Sequence, residues 1–351
     1  MRRRMWRGTA WVACWIVWVV SGMTAAPAAR KVVIDTDPGA DDALAILLAL
    51  NSPELEVKAL TVVAGNVVVE QGLANALKLV SLAGRCDVRV ARGASQPLVG
   101  KLVTAEFFHG ANGLGNVELP PPVCHADPSF APDLIIQLIH QYPHEITLIP
   151  VGPLTNIALA LRKDPSIVPL VKEIVLMGGG ISGGNVTAAA EANIHNDPEA
   201  ARGVFEAGWP LTMVGLNVTE RTLFTRPDLN RLARTRGPEN DFAVAVLSFM
   251  IDLASKLGAE GTPMHDPLAV GAVIERSLIS TQDMWVDVET GGEFTRGETV
   301  ASRHNSSDHE VLRGQRYVIE GLERVQPNVH VAVESDAKRF IDLFISRLAG
   351  K

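Results

Sequence analysis

Short β-rich runs alternate with longer segments of helical apolar periodicity after residue 30, and this alternation restricts the fold more than any other feature. Residues 31–35 and 57–64 have the composition of buried strands, and residues 42–50 and 68–83 that of the helices that follow them. Strands that alternate with helices predict a mostly parallel sheet with helices on both faces, that is, an α/β fold. Such sheets bind ligands at the carboxyl ends of their strands.

The alternation continues to about residue 214. The further predicted elements are strands at 88–91, 146–149, 174–177 and 211–214 and helices at 134–140 and 154–162. Residues 92–130 and 178–200 interrupt it with Gly, Pro and Asn, and loops of this length are usually functional or mobile. Because the sequence contains no linker, repeat or low-complexity tract, we predict one domain over residues 30–351.

Composition and charge exclude two broad classes of protein. The 351 residues are 47% hydrophobic, too apolar for a disordered chain, and their number allows one large α/β domain. The net charge is −7, from 39 acidic and 32 basic side chains, and no Lys/Arg block occurs outside the N-terminus. A nucleic-acid-binding protein needs such a basic patch, so we expect no nucleic-acid partner.

The first 28 residues are a predicted secretory signal peptide. Four arginines within the first seven residues precede an apolar run at 9–20, and small residues follow up to Ala28. The apolar run is shorter than the ~20 residues that a membrane span requires, so we expect cleavage near Ala28 and no stable membrane insertion afterwards. The mature protein would be secreted or periplasmic, where Cys86 and Cys124 either form a disulfide or stay unpaired.

Four carboxylates fall within eight residues at the junction of the first predicted strand and helix. They belong to Asp35, Asp37, Asp41 and Asp42. Favourable charge in a first helical turn would account for the last two, but not for all four. Clustered carboxylates repel one another, so they require protons or a bound cation. Oxygen ligands without His or Cys favour Ca²⁺ or Mg²⁺ over zinc.

Two other acidic-turn chemistries fit this cluster less well. An EF-hand loop needs a bidentate Glu at its twelfth position, which is Ile46 when counted from Asp35. The aspartyl-phosphate hydrolases want Thr or Val two residues after the second Asp of their Asp-x-Asp turn, and this chain has Gly39 there.

Six separate blocks, in a fixed order along the chain, carry a family resemblance. They are residues 35–42, 64–66, 149–158, 176–180, 184–185 with 191–193, and 265–267. In these blocks the chain resembles the inosine-uridine nucleoside hydrolases from Lys31 to its C-terminus. The resemblance implies an open, Rossmann-like α/β fold, one Ca²⁺ per subunit, and a homodimer or homotetramer. It also implies hydrolysis of the N-glycosidic bond of a small-molecule nucleoside substrate to free base and ribose.

The resemblance implies a calcium site at matching positions. Asp37, Asp42 and Asp266 would bind the ion through their carboxylates, and Val151 through its backbone carbonyl. A water activated by the ion would be the nucleophile, and Asp37 would take its proton as general base.

The resemblance also implies a ribose site and a proton donor. The residues expected to bind the sugar are Asp41, Asn66, Asn185, Glu191 and Asn193 through its hydroxyls and Met177 by contact. Carboxylates around the sugar would stabilise an oxocarbenium-like transition state, and attack from the face opposite the base would invert C1′. His265 matches the candidate acid for the leaving base, and His109 matches a second pocket histidine.

Two positions depart from the family pattern. Ala192 stands where the family commonly has an aromatic residue, and the segment that often supplies tyrosines to the base pocket carries Phe249 and Met250. The sequence therefore does not indicate which of the two classes, purine or pyrimidine nucleosides, is preferred.

One alternative function belongs to a different class. An exported protein that binds a nucleoside or ribose without cleaving it would also have a leader peptide and a sugar site. The carboxylate cluster together with His265 favours the enzyme, because binding alone gains little from an activated water.

Overall fold

Strands and helices alternate through much of the computed structural model, which describes residues 28–302 and 326–349. Residues 1–27 of the predicted signal peptide lie outside the described residues. The first elements are β1 (Arg30–Thr36), α1 (Ala40–Leu50), β2 (Leu55–Val62), α2 (Val69–Leu82), β3 (Arg89–Arg92), α3 (Glu106–His109), α4 (Ala131–Gln141), β4 (Thr147–Pro150), α5 (Thr155–Lys163) and β5 (Glu173–Met177).

The later elements include more helices and a group of strands near the C-terminus. They are α6 (Ala192–Asn196), α7 (Pro198–Phe205), β6 (Leu211–Val214), α8 (Leu216–Thr219), β7 (Leu223–Thr225), α9 (Arg226–Leu232), α10 (Pro238–Lys256), β8 (Gly261–Pro263), α11 (His265–Ile274), β9 (Ile279–Val288), β10 (Thr299–Ser302), β11 (Val329–Ser335) and α12 (Ala337–Ala349). None of the helices within the described ranges is long and apolar enough to cross a membrane.

A nine-stranded sheet in the order β10-β9-β11-β6-β5-β4-β1-β2-β3 forms the centre of the structure. In the series β11-β6-β5-β4-β1-β2-β3 each strand runs parallel to the next. Strand β9 runs antiparallel to both β11 and β10. Strands β7 and β8 form a separate antiparallel pair. The predicted α/β fold with a mostly parallel sheet is confirmed.

The sheet separates two apolar cores, because successive side chains of a strand point to opposite faces. Val32 and Ile34 of β1 belong to the core that α1, α2, α10, α11 and α12 cover. Val33 belongs to the core that α4, α5 and α7 cover. Every residue of α1 is buried, since this helix packs against the sheet on one side and other helices on the other. Its carboxylates are therefore removed from bulk water.

The strand order reverses between β1 and β4, and this is the topological switch point of the sheet. From β1 the chain proceeds outward through β2 and β3, and it then returns to β4 on the opposite side of β1. Ile34 of β1 pairs in register with Leu60 of β2 and Ile149 of β4. The carboxyl ends of these strands therefore meet at one edge, where α/β proteins bind ligands.

The two predicted loops differ in outcome. Within residues 93–130 only the short α3 has regular secondary structure. A disulfide joins Cys124 in this segment to Cys86, which precedes it. The prediction of a loop over 178–200 is wrong near its end, where α6 and the start of α7 form. Glu191 caps the amino end of α6 and Asp197 that of α7 by accepting backbone N–H groups. Helices this short lack enough apolar repeats to be recognised by periodicity.

Candidate active site

The carboxylate of Asp35 faces the interior of the sheet. Its Oδ1 accepts hydrogen bonds from Thr61 Oγ1 at 2.6 Å and from Asn156 Nδ2 at 2.8 Å. Asn156 Oδ1 accepts from Ala94 N at 2.9 Å. Burial raises the pKa of Asp35 to about 7, although the hydrogen bonds from Thr61 and Asn156 act to lower it. Asp35 thus links β1 to β2 and to α5 beneath the site.

Asp37 follows β1 and has one carboxylate oxygen held and one free. Its Oδ2 accepts a hydrogen bond from Asn66 N at 2.6 Å, whereas the buried Oδ1 has no hydrogen-bond partner. Two glycines make room for it: a β-carbon on Gly65 would overlap Oδ2, and one on Gly152 would lie 2.5 Å from Oδ1. Burial, and next the charge of Asp42, raise the pKa of Asp37 well above its usual range.

Four hydrogen bonds orient Asp42. Its Oδ1 accepts from Thr36 Oγ1 at 2.5 Å and from Asp37 N at 3.2 Å. Its Oδ2 accepts from Gly39 N at 2.9 Å and from Asn66 Nδ2 at 3.0 Å. Burial still raises the pKa of Asp42, and the nearby charge of Asp41 adds to this effect.

Three carboxylates converge at this edge of the sheet. One oxygen from each of Asp41, Asp42 and Asp266 lies within 4.8 Å of the others, and all three residues are buried. Asp266 reaches the site from the first turn of α11, and burial followed by the charge of Asp41 raises its pKa well above the usual range. Within the described ranges none of the three forms an ion pair with Lys or Arg.

These residues fit a divalent cation. The donor set consists of oxygen atoms, and Asp37 Oδ1 and Asp41 Oδ1 are both buried without a hydrogen-bond partner. Buried carboxylates in this arrangement need either protons or a cation, and hard oxygen ligands suit Ca²⁺ or Mg²⁺. The converging group consists of Asp41 and the two expected ligands Asp42 and Asp266. Asp37, the third expected carboxylate ligand, lies next to this group, and its backbone N–H donates a hydrogen bond to Asp42.

A second set of expected residues surrounds the end of β5. Glu191 accepts hydrogen bonds from the backbone N–H groups of Gly179, Asn193 and Ile194 at 2.9–3.1 Å, and burial raises its pKa. Asn193 Nδ2 donates to Val151 O at 3.0 Å and to Met177 O at 3.1 Å. This amide therefore joins the ends of β4 and β5.

Asn185 is the one expected residue that lies away from the buried group. Its side chain is exposed, and its Oδ1 accepts a hydrogen bond from Ala192 N at 3.0 Å. It belongs to the rim of the site.

The structure brings both expected histidines to Asp41. Ala40 N donates to His109 Nδ1 at 3.1 Å, and the same nitrogen lies 3.5 Å from Asp41 Oδ1. His265 begins α11, and its Nδ1 lies 2.8 Å from Thr219 Oγ1. Burial lowers the pKa of both rings, and the charge of Asp41 partly opposes this for His265. In both histidines Nδ1 contacts another group of the protein, so the orientation of each ring is fixed.

The position of Phe249 bears on the altered base pocket. A β-carbon on Gly115 would lie 3.1 Å from the ring of Phe249, so α10 packs directly on the loop that follows His109. Phe249 and Met250 are both half-buried. The segment without the family's tyrosines thus borders the site.

Sequence reasoning missed three residues that support the site. Asn156 lies within the block 149–158, and its polar side chain at the start of a helix was a usable signal. Gly152 lies in the same block, but its contact with Asp37 depends on the fold. Thr219 lies outside every block, and nothing in the sequence pointed to it.

The fold and the site define an α/β enzyme with an acidic, cation-type site at the switch point of its sheet. Residues 32–342 match the profile of the family described as inosine-uridine preferring nucleoside hydrolase. The chain belongs to this family, and it is a hydrolase that acts on N-glycosyl bonds.

Several relatives are similar over nearly their whole length. The chain is 39% identical over 322 residues to the pyrimidine-specific ribonucleoside hydrolase RihA of Photobacterium profundum, covering 91% of this chain and 99% of that protein. The solved structure of a plant nucleoside hydrolase, the PpNRh1 enzyme, superimposes with a TM-score of 0.84 at 37% identity and covers 92% of this chain and 99% of that one. The purine-preferring ribonucleoside hydrolase from Gardnerella vaginalis gives a TM-score of 0.82 at 36% identity, with 92% and 98% covered.

Proposed function

We propose that this nucleoside hydrolase cleaves ribonucleosides to free base and ribose in a Ca²⁺-dependent reaction that inverts C1′. The observation that carries the proposal is the convergence of Asp41, Asp42 and Asp266 on one point, with unpaired carboxylate oxygens beside it. A protein that only binds a neutral sugar gains little from a water that a cation activates. Family membership likewise favours hydrolysis over the alternative of an exported binding protein.

Asp37, Asp42, Asp266 and the carbonyl of Val151 would hold the ion. When bound, a divalent cation would supply Lewis-acid activation of the attacking water. The free Oδ1 of Asp37 is available to accept a proton from that water, because Asn66 N holds the other oxygen in place.

The ribose hydroxyls would donate to side-chain oxygens of the site, two of which belong to amides whose nitrogens the protein already engages. Asn193 uses its Nδ2 for Val151 and Met177, and Asn66 uses its Nδ2 for Asp42, so each amide presents its Oδ1. Asp41, Glu191 and Asn185 are the further proposed sugar ligands, with Met177 in contact with the ring. The carboxylates near the sugar would stabilise the positive charge that develops at C1′.

His265 would give a proton or a strong hydrogen bond to the departing base, with His109 as a second donor. Burial lowers the pKa of His265, so the ring is a hydrogen-bond donor rather than a permanent cation. The relatives named above include pyrimidine-specific and purine-preferring hydrolases. The proposal therefore covers ribonucleosides of both base classes.

The decisive test uses the mature protein, residues 29–351, with a panel of purine and pyrimidine ribonucleosides. Reducing sugar is measured before and after removal of metal with a chelator and after re-addition of Ca²⁺, and proton NMR identifies the first ribose anomer formed. Asp37→Asn is expected to abolish turnover, whereas Asp252→Asn, a change to an exposed carboxylate paired with Arg226, is not. Full activity in protein shown to be free of metal would refute the proposal.

We further propose that the protein is exported and assembles as a homodimer or homotetramer. The disulfide between Cys86 and Cys124 supports export, because such bonds persist mainly in oxidising compartments. Intact mass measurement on the periplasmic fraction and the culture medium would locate the cleavage site near Ala28. Light scattering on the purified protein would give the number of subunits.

A further inference from the structure

A buried hydroxyl contacts the imidazole of His265. Thr219 is the last residue of α8 and has no solvent exposure. Its Oγ1 lies 2.8 Å from His265 Nδ1, and within the described ranges this is the only hydrogen-bond partner of the hydroxyl. Because the threonine lies 46 residues from the histidine in sequence, only the folded chain brings them together.

The backbone on both sides of this contact is held by hydrogen bonds. Thr219 N donates to Gly215 O at 3.1 Å, and Leu216 N donates to Gly179 O at 2.9 Å, which ties α8 to the end of β5. On the other side, Met264 N donates to Thr222 O at 3.0 Å, directly before His265. The hydroxyl therefore has a fixed position relative to the ring.

His109 shows what such a contact does to a histidine. Its Nδ1 accepts from the backbone N–H of Ala40, a group that only donates, so the neutral ring of His109 carries its proton on Nε2. A hydroxyl at the same position of His265 has the same effect when it donates to Nδ1. A hydroxyl can also accept from a protonated Nδ1, so the contact holds the orientation of the ring in either case.

We propose that Thr219 is a positioning residue that holds the neutral His265 ring with its proton on Nε2, directed toward the leaving base. The inference rests on the proposed role of His265. Without the hydroxyl, the ring would distribute between both tautomers and more than one orientation, and only one of these arrangements could donate to the base. Loss of a residue that orients a metal-ligating histidine typically costs roughly 10–100-fold in activity, and we expect a loss of the same order for the oriented ring of His265.

The test compares Thr219→Val, Thr219→Ser and Thr222→Val. Valine keeps the shape and removes the hydroxyl, serine keeps the hydroxyl, and Thr222 is a matched control. Its buried hydroxyl lies 3.0 Å from Val218 O, one turn away, and 2.9 Å from Ser335 Oγ, and neither partner is His265. For inosine and uridine we expect Thr219→Val to lower kcat by roughly 10–100-fold with little change in KM. Thr219→Ser should recover most of this loss, and Thr222→Val should retain the wild-type kcat.

Nitrogen-15 NMR of histidine-labelled protein provides a readout that does not depend on turnover. The wild type should show the Nε2–H tautomer at His265, identified by the signal that His265→Ala removes, and Thr219→Val should lose this preference. A wild-type kcat and tautomer in Thr219→Val, or equal losses in Thr219→Val and Thr222→Val, would overturn the inference. If His265→Ala hydrolyses nucleosides as fast as the wild type, the proposed catalytic role of His265 fails instead, and the NMR signals still report the Thr219 contact.

Discussion

Gly152→Ala should strongly lower the activity by displacing Asp37, although the new methyl group is small. A β-carbon at this position would lie 2.5 Å from Asp37 Oδ1, about 0.9 Å short of the 3.4 Å at which ordinary contact begins. The same β-carbon would lie 3.1 Å from Asp37 N, so the backbone of Asp37 is crowded as well and the carboxylate must move. A displacement of about 1 Å at a reacting group costs on the order of 10²-fold in rate, and we expect kcat to fall by about that factor.

Gly203→Ala is the matched control, because nothing lies within 4 Å of the β-carbon that it would add within α7. Alanine stabilises a helix relative to glycine by up to about 1 kcal/mol, so this variant should melt no lower than the wild type and keep its activity. Steady-state kinetics on a purine and a pyrimidine nucleoside, with circular dichroism melting curves, distinguish lost geometry from lost folding. A folded Gly152→Ala with wild-type kcat would show that the position of Asp37 does not matter.

Three further predictions concern the leaving group, pH and the disulfide. His265→Ala should slow inosine and uridine hydrolysis by roughly 10²–10⁴-fold but slow a p-nitrophenyl riboside far less, since that leaving group needs no proton; equal losses on both substrates would assign His265 to positioning. In metal-free protein, burial raises the pKa of Asp35 to about 7 from 3.8, and that of Asp266 well above its usual range. The native state then binds more protons at these carboxyls than the unfolded chain does, so the melting temperature should fall from pH 7.5 to 8.5, a window that lies above the ordinary histidine pKa of about 6.5. A rise over that window would contradict these shifts. Replacing Cys86 and Cys124 by serine should lower the free energy of unfolding by about 4 kcal/mol for a loop closed over 38 residues, measured by urea denaturation; an unchanged midpoint would argue that the loop is already constrained in the unfolded chain.

The sequence predicted the part of the fold that depends on local apolar patterns. Residues 31–35 and 42–50 were recognisable because a continuous apolar run of strand length is followed by a helix that is apolar all round, and the structure places β1 and α1 there. Past residue 214 the alternation fades, and the position of β11 between β9 and β6 could not be predicted. Pairing between distant strands is set by tertiary packing, which a local pattern does not contain.

The candidate site likewise contains residues that the sequence indicates and residues that only the folded structure shows. Asp37, Asp41 and Asp42 stand out because four carboxylates in one short segment need a physical reason. The contact of Thr219 with His265 joins residues from separate elements, and neither residue's neighbours indicate it. Side chains that hold other side chains in place have no characteristic spacing, so they become visible only in the folded chain.

The placement of β11 has a consequence for synthesis and for truncation. This strand spans Val329–Ser335, close to the C-terminus, yet it lies inside the sheet with β6 on one side and β9 on the other. The parallel strands up to β6 can pair before the rest of the chain has been made, but β9 and β10 can pair only with each other until β11 connects them to β6. A chain that stops before Val329 would therefore expose the unpaired edge of β6 as a template for association with other chains. A truncation that reaches Val329–Ser335 therefore removes an interior strand of the sheet rather than an edge strand.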